Sequence, residues 1–174
     1  MPGSATSWTV RSGGQTGVDR AALYVAVRRG LAYVGWCPRG GKAEDYPDPP
    51  GVLAQFPRLV ETPSADPRQR TAWNVRDSHA TVILADAQGL RRSPGTRFTQ
   101  TVAELIYPRP LMLANVDDLD AASRVAAWLD EWQRRLGEPC FVVNFAGPRE
   151  SNAPGITARG ERFIEAIFEE LIGP

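Results

Sequence analysis

The chain has 174 residues, 43% of them hydrophobic and 23% charged, with twenty basic side chains against twenty acidic ones. That is the composition of a globular domain, and the absence of net charge excludes a long-range field for nucleic acid or an anionic membrane, so any anion site has to be local. One histidine and two cysteines are too few for a zinc cage, and no apolar run approaches the ~20 residues that span a bilayer.

Residues 1–7 lack the charged-then-apolar pattern of a secretory leader and are expected to be disordered or extended. Residues 8–174 are expected to form one α/β, Rossmann-like, ligand-binding domain, a mostly parallel sheet with helices on both faces, because short apolar runs alternate with amphipathic helices. A cytoplasmic location suits Cys37 and Cys140, which are read as buried or half-buried thiols.

Trp8 to Arg11 predicts the first strand, broken by Ser12-Gly13-Gly14-Gln15-Thr16-Gly17. An Ala- and Val-rich helix follows from Val18 to Arg29, stopped by Gly30. Tyr33 to Trp36 predicts the second strand. The long Pro- and Gly-rich connection from Cys37 to Pro57 exceeds ordinary loop lengths, which are often functional when this long. Arg58 to Thr62 reads as a short strand. A helix from Arg68 to Asp77 has either Ser64 or Asp66 placed to cap it. Ala80 to Ala85 is a continuous apolar strand. A polar loop, Asp86 to Gly95, then leads into a helix from Thr96 to Tyr107. Leu111 to Asn115 forms the next strand. Asp117, Asp118 and Asp120 put negative charge at the start of a helix ending near Leu136, which suits its dipole. Its apolar stripe is Val125, Trp128, Leu129, Trp132 and Leu136. Cys140 to Ala146 is the last strand, and the closing helix runs from Ile156 to Ile172 with Phe163, Ile164, Ile167, Phe168 and Leu171 facing the core.

Ligands of open α/β sheets bind outside the carboxyl ends of the strands. The segments there hold the unusual residues. Gly13, Gly14, Gln15, Thr16 and Gly17 precede a helix whose free N–H groups favour an anion, with Asp19 and Arg20 in its first turn. Asp19 is read equally as a helix cap. The pattern lacks the Gly-Lys-Ser/Thr of a phosphate-binding P-loop and departs from the dinucleotide fingerprint. Gly14→Val is expected to abolish ligand binding, by occupying the phosphate position, while leaving folding largely intact. After the second strand come Pro38, Arg39, Lys42, Glu44 and Asp45. After the fourth, Ser93, Gly95, Thr96 and Thr99 make a second glycine-to-helix junction whose hydroxyls suit phosphate oxygens. After the last come Gly147, Arg149 and Glu150. Arginine offers oxyanions a planar fork. Arg70 and Asn74 share a helix face and reach the cleft if that helix starts near the rim. His79 and Cys140 precede strands and fall on the opposite rim. Glu44, Asp45 and Glu150 are the rim carboxylates available for acid/base chemistry.

Several stretches together carry a family likeness. Ser12 to Ala22, Gly35-Trp36-Cys37-Pro38, Ala43-Glu44-Asp45, Glu61-Thr62-Pro63-Ser64, Arg70 to Ser78, Ala146 to Ser151 and Ala153-Pro154-Gly155-Ile156 resemble the molybdenum cofactor carrier proteins over nearly the whole chain. The resemblance implies a Rossmann-like fold, homo-oligomers (dimer or tetramer) formed through an exposed apolar helix face, and binding of the molybdenum cofactor, a phosphorylated pterin carrying molybdenum, for delivery to molybdoenzyme apoproteins. Similar folds occur in nucleotide phosphoribohydrolases, which carry Pro-Gly-Gly-x-Gly-Thr-x-x-Glu. Here Thr99 stands where the glutamate belongs. A binding protein is therefore favoured over an enzyme. The alternatives are a phosphoribohydrolase acting on a nucleoside monophosphate and a non-catalytic nucleotide-sensing module.

Overall fold

In the computed structural model, which describes residues 7–88, 93–118 and 120–174, the apolar runs assemble a parallel sheet of five strands. Residues 1–6 of the expected extended N-terminus and residues 89–92 of the expected polar loop lie outside the described residues; Ser7 already belongs to the first strand. In chain order the sheet strands are β1 (Ser7–Arg11), β2 (Ala32–Val34), β5 (Ala80–Ala85), β6 (Leu111–Asn115) and β7 (Cys140–Ala146). The spatial order is β2-β1-β7-β5-β6. The last strand thus enters the middle of the sheet, between β1 and β5, and both of its pairings are parallel. β5 is buried along its whole length, as its unbroken run of apolar side chains requires.

Two further strands, β3 (Trp36–Cys37) and β4 (Val60–Glu61), form a separate parallel ribbon. The sequence reads Tyr33 to Trp36 as one strand, but the chain splits at Gly35, whose backbone passes against Ser12 so closely that a Cβ there would lie 1.9 Å from the Ser12 carbonyl oxygen. The expected strand from Arg58 to Thr62 shrinks to β4 and pairs with β3 instead of joining the main sheet.

Helices cover both faces. The helices α1 (Val18–Arg28), α4 (Asp120–Leu136) and α5 (Ile156–Ile172) pack the main core, where Phe163, Ile164, Ile167 and Phe168 are fully buried beneath Leu23, Leu129 and Phe145. On the other face, α2 (Pro67–Arg76) and α3 (Pro94–Thr101) close a smaller cluster of Val75, Val102 and Ala103 with Ala72 and Phe98 around it. Asp66 caps α2 by accepting from Arg68 N–H at 2.9 Å. The helix expected to run on to Tyr107 instead ends at Thr101 and continues as a π-helical turn, Val102–Ile106. Leu136, expected on the apolar stripe of α4, is exposed.

The connection from Cys37 to Pro57 is anchored and not slack. Val52 and Phe56 sit in the main core, and the Arg20 guanidinium lies over the rings of Tyr46 and Phe56. Cys37 is fully buried and burial pushes its thiol up to about 11, so it stays protonated at neutral pH and acts as a packing group. Cys140, expected to be at least half-buried, is exposed at the start of β7. Among the described residues no helix is long and apolar enough to cross a membrane.

His79 lies at the amino end of β5, where its Nδ1 accepts from Val142 N–H at 2.9 Å. That bond requires the neutral ring, and burial holds the His79 pKa below its ordinary 6.5. The folded chain therefore binds fewer protons than the unfolded one between the folded pKa and 6.5. Stability from this contact is complete above the unfolded pKa and is lost as pH falls through the folded one. A urea titration from pH 7.5 to 5 should show that loss, and His79→Asn, which keeps an acceptor near the Nδ1 position, should remove this component.

Candidate functional site

The three central strands of the sheet release their loops at one edge, where the chain turns from building toward β2 to building toward β6. This is the switch point at which a crevice opens in α/β sheets. A cleft of about 310 Å³ lies there. The turn after β1 contributes Gln15 and Asp19, and α2 contributes Arg70 and Thr71. The start of α3 brings Ser93, Pro94, Gly95 and Thr99, and the loop after β7 supplies Ala146, Gly147, Arg149, Ser151 and Asn152.

An ion pair forms the floor. Arg70 donates to Asp19 at 2.8 Å, with both side chains largely buried. Gly13 makes room for it: a Cβ at that position would sit 1.9 Å from an Arg70 terminal nitrogen and 2.8 Å from the Asp19 carboxylate. Burial raises the pKa of Asp19, while the Arg70 guanidinium, the Gln15 N–H and Arg20 oppose that rise. Arg70 Nε is buried without a hydrogen-bond partner. Arg70 also lines the cleft, although this nitrogen is itself shut off from solvent.

The first glycine turn is a packed hub and not the open cradle that the sequence suggests. Gly14 N–H donates to Ser12 Oγ, Thr16 N–H to Gln15 Oε1, Gly17 N–H to Thr157 Oγ1 and Val18 N–H to the Pro148 carbonyl. Gly14 has φ +75°, and a Cβ there would point at Leu59 and Val52, not into the cleft. The expected blocking effect of Gly14→Val is therefore corrected to a packing effect. Gly17 abuts Pro148 and Arg149 in the same way.

The rim carboxylates are likewise engaged. Glu44 accepts from the Thr16 hydroxyl and from both Ser151 N–H and Ser151 Oγ, the last at 2.7 Å, while Arg149 stands 4.0 Å away. Partial burial works against the Glu44 charge, but these donors outweigh it and hold its pKa low. Glu150 accepts from Gly155 N–H and from Thr157 N–H and Oγ1 at the start of α5, again with a lowered pKa against partial burial. Asp45 takes a two-pronged bond from Arg20, which also donates to the Gly14 carbonyl. Arg20 and Asp45 thus clamp two loops together and do not line the cleft. Neither do Arg39, which is exposed, and Thr96, whose hydroxyl donates to Ser93 Oγ at 2.7 Å. Asn74 borders a small hollow behind Arg70, but its amide clasps Trp36 N–H and the Trp36 carbonyl at 2.8 and 2.9 Å. Pro38 and Lys42 line an adjoining hollow.

The open donors are at the second junction. Ser93 caps α3, and Gly95 N–H has no partner among the described residues. A Cβ on Gly95 would meet nothing within 4 Å. Thr99 Oγ1 donates back to the Gly95 carbonyl at 3.1 Å. The cleft-lining Thr71, Pro94, Ala146, Ser151 and Asn152 were not among the sequence candidates, although Thr71, Ala146 and Ser151 stand inside the motif stretches quoted above. Asp19, not Glu44, Asp45 or Glu150, is the carboxylate among the described lining residues of this cleft.

Comparison with known proteins bears on this geometry. A profile of the circularly permutated YpsA SLOG family matches residues 10–168. The chain is also similar to a crystal structure described as "Putative molybdenum carrier protein" from Syntrophus aciditrophicus SB, at 30% identity and a TM-score of 0.75, over 97% of this chain and 96% of that one. No curated protein sequence matches the chain.

Two stability measurements check the hub and the floor. Gly14→Val is expected to lower unfolding free energy by about 2–4 kcal/mol through strain at positive φ and overpacking. Asp19→Ala, which leaves Arg70 buried without its partner, is expected to cost about 3–5 kcal/mol. Both are read from urea midpoints at pH 7.5, and unchanged midpoints contradict the packed-hub description.

Proposed function

The chain belongs to the circularly permutated YpsA SLOG family, and from that premise we propose that it binds, shields and hands on the molybdenum cofactor or a closely similar phosphorylated ligand. The observation that carries this reading is the composition of the cleft. Its lining offers a helix N-terminus with an open Gly95 N–H, the Ser93 hydroxyl, the Asn152 amide and two arginines. The nearby acidic groups are already bonded within the protein. Such a lining supplies affinity for an anion without a free carboxylate to repel it. The related Syntrophus protein is described as a molybdenum carrier, which agrees with a molybdenum-bearing ligand.

The phosphate is assigned to the Ser93–Thr99 junction, with Arg70 and Arg149 flanking it. Delivery to a molybdoenzyme apoprotein in the cytoplasm completes the reading. Homo-oligomerisation is proposed through the apolar end of α3 and its π turn, where Leu105 and Ile106 are exposed. Sedimentation of the wild type as a dimer or tetramer, shifted toward monomer by Leu105→Glu with Ile106→Glu, is the expected outcome.

One observation favours a reading with turnover. Asp19, held by Arg70, is the carboxylate among the described residues lining the cleft, and so the group that acid/base chemistry there would use. Release of free base from a nucleoside monophosphate, lost in Asp19→Asn, is the signature of a phosphoribohydrolase. Binding with no base release favours the carrier.

The direct test is anaerobic gel filtration of the protein with freshly released molybdenum cofactor, following pterin fluorescence after oxidation and molybdenum across the protein peak. Co-elution is expected, weakened about ten-fold or more in affinity by Gly95→Phe, because that side chain enters the open space at the head of α3. A protein peak free of pterin, with intact cofactor recovered later in the run, overturns the carrier reading.

A further inference from the structure

A second hollow of about 220 Å³ adjoins the cleft, and Gln15 and Arg149 line both. We infer that the two hollows form one site with two compartments, the larger taking the phosphoryl end of a ligand and the smaller taking a flat heteroaromatic ring on the same molecule. This rests on the reading that the cleft binds a phosphorylated ligand, and it adds where each end lies and what the other end is.

The two compartments differ in chemistry. The smaller is walled by Pro38, Pro67, Ala43 and Ala65, rigid or short apolar groups, with Lys42 and Glu44 at its edge beside the shared Gln15 and Arg149. Proline and alanine faces have little conformational entropy to lose and match a planar ring by dispersion contact. Lys42 makes no ion pair among the described residues, so its ammonium is available to a ring carbonyl or ring nitrogen. A phosphate placed there would meet Lys42, Arg149 and Gln15 but also the Glu44 carboxylate, which repels it. In the larger compartment it meets the Gly95 N–H, the Ser93 hydroxyl, the Asn152 amide and Arg70. Size points the same way. Small-molecule sites usually measure about 300–1,000 Å³; the smaller hollow lies below that range, the larger at its lower edge and the two joined well within it.

The boundary is built for a molecule that crosses it. Gln15 Oε1 accepts from Thr16 N–H at 3.0 Å and Glu44 N–H at 2.9 Å. That fixes the amide and leaves its Nε2 without a partner among the described residues, between the two hollows. Arg149 is 41% exposed and only 4.0 Å from Glu44, whereas Glu44 keeps Thr16 and Ser151 whether or not Arg149 stays. Arg149 is thus free to leave Glu44 and close over an anionic linker.

Neopterin 3′-phosphate, GMP, neopterin and inorganic phosphate separate the possibilities, with binding followed by pterin fluorescence anisotropy and by calorimetry. In the wild type, a ring phosphate should bind about a hundred-fold or more tightly than neopterin or inorganic phosphate alone, since one molecule fills both compartments. The neopterin phosphate and GMP arms identify the ring, pterin or purine. Ala65 is exposed, so Ala65→Trp fills the smaller hollow on the surface; an unchanged melting temperature confirms its fold. It should weaken the ring phosphate about ten-fold or more and leave inorganic phosphate within about two-fold. Gly95→Phe should weaken both. If Ala65→Trp leaves the ring phosphate unchanged while Gly95→Phe abolishes it, the two-compartment site is overturned and the anionic cleft stands. If none of the phosphorylated probes binds the wild type, both fail.

Discussion

The buried ion pair between Asp19 and Arg70 is the contact around which the site is arranged. It joins the first turn of α1 to α2, helices that pack on opposite faces of the sheet, at the edge where β1, β7 and β5 end. Charges taken out of water are expensive unless paired and hydrogen-bonded. Here the requirement fixes the distance between two layers and dictates glycine at position 13, because any side chain there would collide with the pair. Arg70 also lines the cleft, so the element that locks the layers forms part of its wall.

Above that floor the loops are tied to one another by groups that sequence alone would offer to a ligand. Gln15, Thr16, Glu44, Ser151, Glu150 and Thr157 form a continuous hydrogen-bonded chain across three loops. Arg20 and Asp45 clamp the turn after β1 to the long connection. The electrostatic consequence is a sorting of charge. Glu44 and Glu150 are held by backbone N–H and hydroxyl groups and Asp19 and Asp45 by arginines, whereas Lys42 and the head of α3 border the hollows without an ion pair among the described residues. A chain with no net charge thereby builds a local field suited to an anion.

Much of the architecture is legible in the sequence because burial on both faces forces unbroken apolar runs. β5, β6, β7 and α5 begin and end where the apolar pattern does. The site was legible at the level of loops, since a parallel sheet sends them all to one rim. Individual residues were harder. A glycine announces that something comes close, but not what: at Gly13 it is an ion pair, at Gly14 the side chains of Leu59 and Val52, and at Gly17 a neighbouring loop. Gly95, by contrast with these three, faces open space. Polar residues carry the same ambiguity, because Asn74, Arg20 and Glu150 satisfy backbone and neighbouring side chains that lie far away in sequence. The π turn after α3, the break at Gly35 and the exposure of Cys140 depend on packing between distant elements, for which no local pattern exists.

The central claim is that the ligand sits at the sheet's switch point, between α3 and the loop after β7. Hydrogen–deuterium exchange with and without anaerobically prepared molybdenum cofactor locates it directly. Slowed exchange at Gly95–Thr99 and Gly147–Asn152 is the expected result, with residues 104–110 and 132–136 on the opposite rim unchanged. Protection confined to that opposite rim would contradict a cleft built on Asp19 and Arg70.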